Sequence, residues 1–493
     1  MKDRFPAPIY DETVLAVNFE DAKEYFLDSL LEIHAAHTLM LCRQRIIPRR
    51  DAQVCLRALG RLDRATLAEA TRDGCCEDLF FHIEQCLVEQ CGAEIAGKMH
   101  TARSRNDIDI TMYRMVIRRE ILKLIEASTG ASGVLLDWAN DHVNTIMPGY
   151  THTQPAQPTT VAHYLMAACE FLERDIERLR ALFERVNRSP LGACAITTTG
   201  FPIDRAYTAS LLGFEGLAFN SYGAIASVDY LTEAAGAVAV LMINLGRLVQ
   251  DMLLWCSEEF GFLRLSDAYV QVSSIMPQKR NPVALEHTRI LASKALGQAQ
   301  AVLTCAHNTP FGDIVDSEDD LQPLVLSMFA DGLRALRLFA GILAAAEIDK
   351  QRLRRRVSDR PLTVTELADT LVRKEGISFR QAHQLVSLAV EEVAAAYTHR
   401  NLVSALKRLA PATIQRRLGI TGQECMRALD PVHFVNIRTV DGGPAPGQVK
   451  AAIVRARSAE ASNRVWLKRK QRLLRNYSKR IRLAAAALGG ASK

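Results

Sequence analysis

The sequence predicts an all-α protein built around a bundle of long helices. Glycine accounts for only 27 of the 493 residues, and Ala, Leu, Arg and Glu, which favour helix, dominate long stretches. Five segments show apolar residues at three- and four-residue steps. They span residues 108–143, 158–188, 228–260, 282–307 and 321–346. Because helices of this length need an apolar partner along most of their length, we expect them to pack together as a bundle.

Local signals predict where elements begin and where the chain divides. Asp107 is a candidate N-cap for the first long helix, and Pro158 suits the first turn of the second. Short extended pieces are expected near residues 195–201 and 433–438. The Asp-Arg-Pro break at 359–361 opens a region of shorter helices. We divide the chain into an N-terminal helical domain (1–106), a central long-helix bundle (107–358), a C-terminal helical domain (359–454) and a basic helical tail (455–493).

The composition is that of a well-cored protein, since 48% of residues are apolar and 24% are charged, which excludes wholesale disorder. The eleven cysteines are scattered without CxxC spacing, so we expect neither a zinc site nor a disulfide framework. The longest apolar run, 234–243, is half as long as a membrane-spanning helix. The N-terminus leads into no apolar signal segment. We therefore expect a cytoplasmic protein with no membrane partner.

The formal charge of +6 is unevenly distributed. Residues 455–493 contain twelve Lys and Arg and one acidic residue, Glu460, so this tail carries +11 and the rest of the chain −5. Apolar residues recur along the tail at helical steps: Trp466, Leu467, Leu473, Leu474, Tyr477 and Ile481. The pattern favours an amphipathic helix packed on the body with its basic face in solvent. The alternative is a tail that binds nucleic acid or an acidic partner, which we regard as the less favoured interpretation.

Three polar segments adjoin the ends of the predicted bundle helices. Residues 100–107 read HTARSRND, residues 150–158 read YTHTQPAQP, and residues 273–282 read SSIMPQKRNP. The arginines, asparagine and hydroxyls of the first can hold a carboxylate at a helix N-terminus. The hydroxyls, cation and amide of the third can abstract a proton and hold the resulting anion. Taken singly, the first segment also fits a solvated helix cap, and the second fits a structural turn.

Together and in this order, the three segments resemble those of the fumarase/aspartase superfamily, and most closely its argininosuccinate lyase branch. The residues that match the serine-loop signature G-S-x-x-M-x-x-K-x-N are Ser273, Met276, Lys279 and Asn281. HTARSRND and the stretches 187–192, 201–205 and 438–443 are similar to that branch. The resemblance implies an all-α, three-domain fumarase/aspartase-type fold with a central five-helix bundle. It also implies a homotetramer with twenty helices in its core and active sites shared between subunits.

The resemblance further implies a carbon–nitrogen lyase that releases fumarate from an N-substituted aspartate by reversible β-elimination, without metal or organic cofactor. Ser273 would be the general base, ionised with help from backbone N–H groups and Lys279. His152, paired with Glu286, would help protonate the leaving nitrogen. Lys279 and Asn281 would hold the carboxylate that takes up the developing charge. The other residues that the resemblance assigns to the substrate are Ser104, Arg105, Asn106, Thr151, Gln154, Ser274 and Met276.

Two glycines of the family motifs are replaced. Val272 stands before the serine, where it should stiffen the loop, and Ala102 stands at the third position of HTARSRND. Both replacements are mild, and we expect them to be compatible with activity.

The amine side of the site departs further from the family pattern. The family has Tyr, Gln and Lys where this sequence has Asp313, Glu318 and Leu321, within the acidic run 313–320. An aspartate of the family falls at Lys23. The loss of a cation and the gain of carboxylates lead to the hypothesis that the leaving group is cationic, such as a diamine or a guanidine. The alternative for the acidic run is a solvated helix start.

Two other functions are compatible with the sequence. The protein could be an authentic argininosuccinate lyase, or a catalytically silent structural protein of the crystallin type, since lens crystallins were recruited from this family. The presence of Ser273, His152, Lys279 and Glu286 favours an enzyme over a silent protein.

Overall fold

The structure, a computed structural model, describes residues 5–72, 74 and 76–489. The N-terminal part is helical throughout. A π-helical turn, Asp11–Leu15, links its first two helices. The helices are α1 (Pro8–Tyr10), α2 (Ala16–Tyr25), α3 (Leu27–Arg43), α4 (Arg49–Arg61), α5 (Arg64–Glu69), α6 (Leu79–Cys91) and α7 (Ala93–Lys98).

The central part contains the five long helices that the sequence predicts. They are α8 (Arg105–Asp141), α9 (Val161–Val186), α12 (Asp229–Cys256), α13 (Val283–Ala306) and α14 (Gln322–Ala344), with the short helices α10 (Arg205–Leu211) and α11 (Ser221–Ala226) between them. Helix α8 packs against α9 and α14, while α12 and α13 pack against each other and α13 against α14. The all-α fold with a central long-helix bundle is therefore confirmed.

Helix α12 is more apolar than the short run 234–243 indicates. By length and composition it is the one described helix that could cross a membrane, with a window of mean hydropathy 1.6. It packs in the bundle against α9, α13 and α14, and its inner face, which includes Leu241 and Leu245, is buried.

The basic tail forms the end of a sixth long helix, α21 (Pro446–Ala487), which passes residue 455 without a break. It packs against α3, α8 and α9, and its buried face carries Trp466, Leu474 and Tyr477. Nζ of Lys470 is buried and lies 2.8 Å from Glu184 and 2.6 Å from Glu215. The prediction of an amphipathic helix packed on the body is confirmed, and the tail belongs to the main apolar core.

Residues 364–429 of the C-terminal region form an apolar core of their own, in which Leu371, Leu385 and Leu406 are fully buried, whereas Leu353 belongs to the main core. The helices are α15 (Lys350–Ser358), α16 (Val364–Glu375), α17 (Phe379–Glu392), α18 (His399–Ile414), α19 (Gly422–Ala428) and α20 (Pro431–Asn436). The separate core is consistent with a C-terminal domain, whose boundaries remain our proposal.

The strands are short and pair antiparallel. They are β1 (Ile146–Thr151) with β2 (Gln154–Thr160), β3 (Leu263–Arg264) with β6 (Glu347–Ile348), and β4 (Gln271–Val272) with β5 (Arg280–Asn281). The sequence predicted extended pieces elsewhere, and that prediction is wrong. Residues 195–201 form turns, and residues 433–436 belong to α20, because Asp430 caps that helix through the N–H groups of Val432 and His433.

Pro158 lies in β2 rather than in the first turn of α9. That helix begins at Val161, because the side chain of Thr160 accepts a hydrogen bond from the His163 N–H and acts as its N-cap.

Candidate active site

The start of α8 carries three of the predicted substrate-binding residues, with Ser104 directly before the helix and Arg105 and Asn106 in its first turn. Ser104, in extended conformation, is the N-cap, and Asp107 accepts a hydrogen bond from the Ser104 N–H over 3.0 Å. The prediction of Asp107 as the N-cap is therefore wrong, because Asp107 occupies the third position of a capping box. Ser104 Oγ donates to Oδ1 of Asn106 at 2.7 Å, which orients the two polar groups together. Ala102 has φ of 61°, a left-handed conformation that glycine adopts without strain.

Asp107 connects this turn to the loop that precedes α10. Its Oδ2 accepts hydrogen bonds from the backbone N–H groups of Gly192 at 2.7 Å and Cys194 at 2.9 Å. Burial raises the pKa of this carboxyl to about 6, although the backbone donors act in the opposite direction. The carboxylate thus links the start of α8 to the loop before α10. This link helps to fix the positions of Ser104 and Asn106.

Four predicted substrate-binding residues line one cavity of about 210 Å³: Arg105, Asn106, Asp313 and Glu318. We call it the acidic cavity, because its lining also includes the carboxyl groups of Glu77, Asp78, Asp109 and Asp319. Apolar walls come from the N-terminal helices and the start of α8, including Phe19, Phe26 and Met112. The additional acids were not among the predicted site residues, although Asp109 lies one helical turn after Arg105 and Asp319 follows Glu318 directly.

The single arginine of the acidic cavity is already paired. Nη1 of Arg105 lies 3.0 Å from Oε1 of Glu77 and 2.6 Å from Oδ2 of Asp78. Asp109, Asp313, Glu318 and Asp319 make no ion pair with another described residue. The cavity thus has an excess of carboxyl groups over cations.

Three carboxyl groups of the cavity, Asp109, Glu318 and Asp319, have a raised pKa. Burial, and then the charges of Asp313 and Asp319, raises the pKa of Glu318 to about 8. Burial and the neighbouring acids also hold the pKa of Asp109 well above its ordinary value. A positive ligand group would reverse this effect, because an opposite charge favours the ionised carboxylates.

The second predicted segment forms the exposed tip of the β1–β2 hairpin. His152 and Thr153 have φ of 51° and 63°, so both lie in the left-handed region at the turn. Thr153 Oγ1 donates to the His152 carbonyl at 2.6 Å. Thr151 and Gln154 pair with each other as the last residues of the β1–β2 ladder before the turn. The hairpin therefore presents the imidazole outward from the subunit.

The third segment is a loop closed by the β4–β5 ladder. Ser273 Oγ accepts hydrogen bonds from the backbone N–H of Met276 at 3.0 Å and of Ile275 at 3.3 Å. These donors stabilise negative charge on the oxygen. Ser274 and Lys279 are exposed, and Asn281 is half-buried at the end of the loop in β5.

The position before Ser273 does not require glycine in this loop conformation. Val272 pairs with Arg280 in the ladder, so its backbone is extended, and its side chain is 71% exposed. Arg280 anchors the loop through Asp267 and donates to the Leu265 carbonyl at 3.0 Å. The replacement of the motif glycine is therefore compatible with the loop conformation.

One subunit does not bring the three segments together. His152 and Ser273 are absent from the lining of the acidic cavity, which contains residues of the first segment only. Glu286 lies in the first turn of α13 and is exposed, and no hydrogen bond or ion pair joins it to His152 within the described chain.

Two positions singled out by sequence lie outside the acidic cavity. Leu321 is only 3% exposed and packs in the main core. Nζ of Lys23 donates to the Ala70 carbonyl and lies 2.8 Å from Glu20. Neither side chain therefore contributes to the cavity lining.

Comparisons with known proteins identify the family. A family profile described as lyase matches residues 77–297, and one described as argininosuccinate lyase C-terminal matches residues 361–436. The chain is 42% identical to argininosuccinate lyase 2 of Agrobacterium fabrum, over 91% of this chain and 90% of the relative. It is 38% identical to argininosuccinate lyase of Methanoculleus marisnigri, over 90% of each chain.

Comparison with solved structures points to the same superfamily. EDDS lyase in complex with formate has a TM-score of 0.87 and 31% identity, covering 98% of this chain and 96% of the other. A double variant of EDDS lyase with bound fumarate matches equally well. Since 98% of this chain is covered, the likeness extends into the basic tail. The chain is a carbon–nitrogen lyase and belongs to the argininosuccinate lyase family of the fumarase/aspartase superfamily.

Proposed function

We propose that this enzyme catalyses reversible β-elimination of fumarate from an N-substituted aspartate whose leaving group carries positive charge. The observation that carries the proposal is the acidic cavity, where Arg105 and Asn106 lie beside four carboxyl groups that have no ion-pair partner. Arg105 and Asn106 would bind the fumaroyl half, together with Ser104 and Thr151. The carboxyl groups would bind the amine half.

The proton to be removed is attached to carbon beside a carboxylate, so the transition state carries an extra negative charge on that carboxylate. Ser273 is our proposed base, and the N–H groups of Ile275 and Met276 support its ionisation. Lys279 and Asn281 would hold the charge as it develops. Lys279 is exposed on the same loop as Ser273, so its cation would be available to a substrate bound by Arg105 and Asn106 of another subunit.

The leaving nitrogen needs a proton as the bond to carbon breaks. We propose that His152 supplies or orders it, with Glu286 as its partner from another subunit. Gln154, Ser274 and Met276 would complete the walls around the substrate.

A homotetramer would bring these segments together. The bundle leaves large apolar side chains exposed in one chain: Val240, Ile243 and Leu254 on α12, and Ile290 and Leu303 on α13. Faces of this kind on long helices are typical of subunit interfaces. We propose that they pack in the twenty-helix core and that each active site uses segments of three subunits.

The charge balance of the acidic cavity selects the leaving group. A second carboxylate on the amine half would meet Asp313 and Glu318 without a cation to neutralise it. A diamine or guanidine would instead ionise the carboxyl groups and replace their protons. Small cationic amines linked to succinate are therefore the favoured substrates.

A panel of N-substituted aspartates tests this proposal. Release of fumarate, followed by its ultraviolet absorbance, should be fastest for an aspartate bearing an aminoethyl or guanidinoalkyl group without a carboxylate. Argininosuccinate is the matched comparison, because it has a guanidine and an additional carboxylate. A clear preference for argininosuccinate would contradict the cationic leaving group and support the second candidate, an authentic argininosuccinate lyase, which the 42% identity to a relative of that name favours.

A silent structural protein is distinguished by one substitution. Ser273→Ala should abolish fumarate release while the oligomer and the melting temperature remain unchanged. If the wild-type protein releases no fumarate from any member of the panel, the catalytic proposal fails. We also propose a cytoplasmic location, where buried thiols such as those of Cys169 and Cys425 stay reduced.

A further inference from the structure

Two buried histidines of α3 contact the segment that leads into α8. His34 and His37 lie three positions apart, so they share one face of α3, and they are 0% and 1% exposed. Both bind residues 101–103, which directly precede Ser104. Neither histidine lines the acidic cavity. The pair therefore lies behind the proposed substrate-binding residues rather than among them.

His37 holds the backbone of this segment. Its Nε2 lies 2.8 Å from the carbonyl oxygen of Thr101, and since a carbonyl only accepts, Nε2 carries the proton and donates. Burial and the charge of Arg103 lower the pKa of His37 to about 3, so the ring is neutral at neutral pH. The carbonyl of the next residue, Ala102, accepts from Sγ of Cys194 at 3.3 Å. Two consecutive carbonyls are thus fixed by donors from distant parts of the chain.

His34 holds the side chain of Arg103. Nη1 of Arg103 donates to Nδ1 of His34 over 2.7 Å, because a guanidinium has no acceptor. The side chain of Arg103 is 0% exposed, and Oε1 of Glu84 lies 3.9 Å from its Nη2. Nε and Nη2 have no hydrogen-bond partner among the described residues. The short bond to His34 therefore orients this guanidinium.

The buried cation of Arg103 is costly to the fold. A buried charge loses its hydration, and two of the three guanidinium nitrogens regain no hydrogen bond from the protein. Stability alone would favour an apolar side chain at this position. Arg103 directly precedes residues 104–106, which carry the proposed contacts to the fumaroyl half. Departures of this kind from a well-satisfied core are expected where a site needs them.

We propose that His34 and His37 are positioning residues for the fumaroyl half of the active site. By holding Thr101 and Arg103, they place residues 104–106 in the geometry that a bound dicarboxylate requires. Each acts through one ring nitrogen: Nδ1 of His34 accepts, and Nε2 of His37 donates. The inference rests on the proposed function, in which residues 104–106 bind the fumaroyl half.

Exchanging asparagine and glutamine at the two positions tests this inference. The asparagine amide is attached at Cγ, as Nδ1 is in histidine, and the glutamine amide lies one bond further out, near the place of Nε2. We expect His34→Asn and His37→Gln to keep KM within about twofold of wild type. His34→Gln and His37→Asn should raise KM at least about fivefold and lower kcat by a smaller factor.

The measurements use the full-length protein and two probes. Steady-state kinetics are followed with the N-substituted aspartate that wild type converts fastest. Titration calorimetry gives the Kd of succinate, a dicarboxylate that has no leaving group, and this Kd should rise in the same variants as KM. Arg103→Met removes the bond to His34 from the other side and should raise KM as His34→Gln does.

Met40→Ala is the matched control for stability. Met40 is 1% exposed on the same helix but belongs to a separate apolar cluster with Leu41 and Ile47. Its substitution should lower the melting temperature and leave KM unchanged. A merely structural role of the two histidines would give their variants the same behaviour.

The inference is overturned if asparagine and glutamine are equivalent, or rank in the same order, at both positions. It is also overturned if the variants, including Arg103→Met, lower the melting temperature while KM and the Kd of succinate stay as in wild type. These outcomes in an active enzyme leave the proposed function intact. If wild type releases no fumarate from any aspartate of the panel, the proposed function fails, and this inference fails with it.

Discussion

The hydroxyl of Tyr113 donates a hydrogen bond to Oδ1 of Asp319 over 2.6 Å, across 206 positions of sequence. Tyr113 is fully buried on α8, and Asp319 belongs to the acidic segment before α14. The bond fixes one carboxyl group at the wall of the acidic cavity. The segment 313–320 is therefore held in place by the bundle and is more than a solvated helix start.

Removing carboxyl groups from the acidic cavity should change substrate preference. We expect the Asp313→Asn/Glu318→Gln variant to lose about tenfold or more in kcat/KM for a cationic-amine substrate, because it loses charge-assisted contacts. Asp316→Asn is the matched control, since Asp316 is exposed in the same segment and does not line the cavity. An unchanged ratio of rates for cationic and anionic leaving groups would argue against the assignment.

The raised pKa of Glu318 predicts a pH-dependent effect on stability. Its ordinary pKa is 4.5, whereas burial and then Asp313 raise it to about 8 in the folded protein. The folded state therefore holds a proton that the unfolded chain has released, and stability from this group falls as pH rises from about 4.5 through 8. Glu318→Gln, which resembles the protonated form, should match wild type near pH 4 and melt a few degrees higher near pH 9. Melting curves across that range would contradict the prediction if the difference were constant.

Asp107 should act on the substrate-binding turn as well as on stability. Asp107→Asn replaces one carboxylate oxygen with an NH2 group, so either the Ser104 N–H or both the Gly192 and Cys194 N–H groups lose their acceptor, and we expect a loss of about 1–3 kcal/mol in the free energy of unfolding. Displacement of Ser104 should raise KM more than it lowers kcat. Denaturant unfolding and steady-state kinetics measure the two effects. A variant that is destabilised with unchanged KM would assign Asp107 to folding alone.

If each active site is shared between subunits, mixed oligomers of two inactive variants should regain activity. Homo-oligomers of Ser273→Ala and of His152→Ala should each be inactive. If the two residues serve one site from different subunits, unfolding and refolding the variants together should restore part of the wild-type rate, because some sites then receive both intact segments. Mixtures refolded separately are the control. No recovery in verified mixed oligomers would place both residues in one subunit's site.

Substitutions on the exposed face of the basic tail should leave stability unchanged, whereas substitutions on its buried face should lower it. Lys470→Ala removes a buried cation from Glu184 and Glu215, which are partly exposed, and we expect a loss of about 1–3 kcal/mol in the free energy of unfolding. Lys468→Ala is the control, because Lys468 is exposed and should change stability by less than about 0.5 kcal/mol. Equal effects of the two substitutions would contradict the buried role of Lys470.

Helix positions and the site segments were predictable from the sequence, while exact starts were not. Apolar residues recur at helical spacing along α9 and α12, and this signal depends only on the local sequence. The start of α8 differs from the prediction because two side chains, Ser104 and Asp107, can act as its cap, and tertiary contacts decide between them. Asp107 gives its second oxygen to Gly192 and Cys194, so Ser104 remains at the N-cap. The start of α9 differs because Pro158 pairs with Pro148 in the β1–β2 ladder.

The sequence by itself determined the all-α bundle, the family and the identity of the polar segments, because periodicity and motif order are properties of the chain. Only the tertiary structure decided that Arg105 is neutralised by Glu77 and Asp78, and that Asp109 and Asp319 join Glu318 in one cavity. It also decided that Leu321 is buried in the core. The physical reason is that charge balance and burial depend on neighbours distant in sequence, and a carboxylate has a different pKa in a cavity than in water.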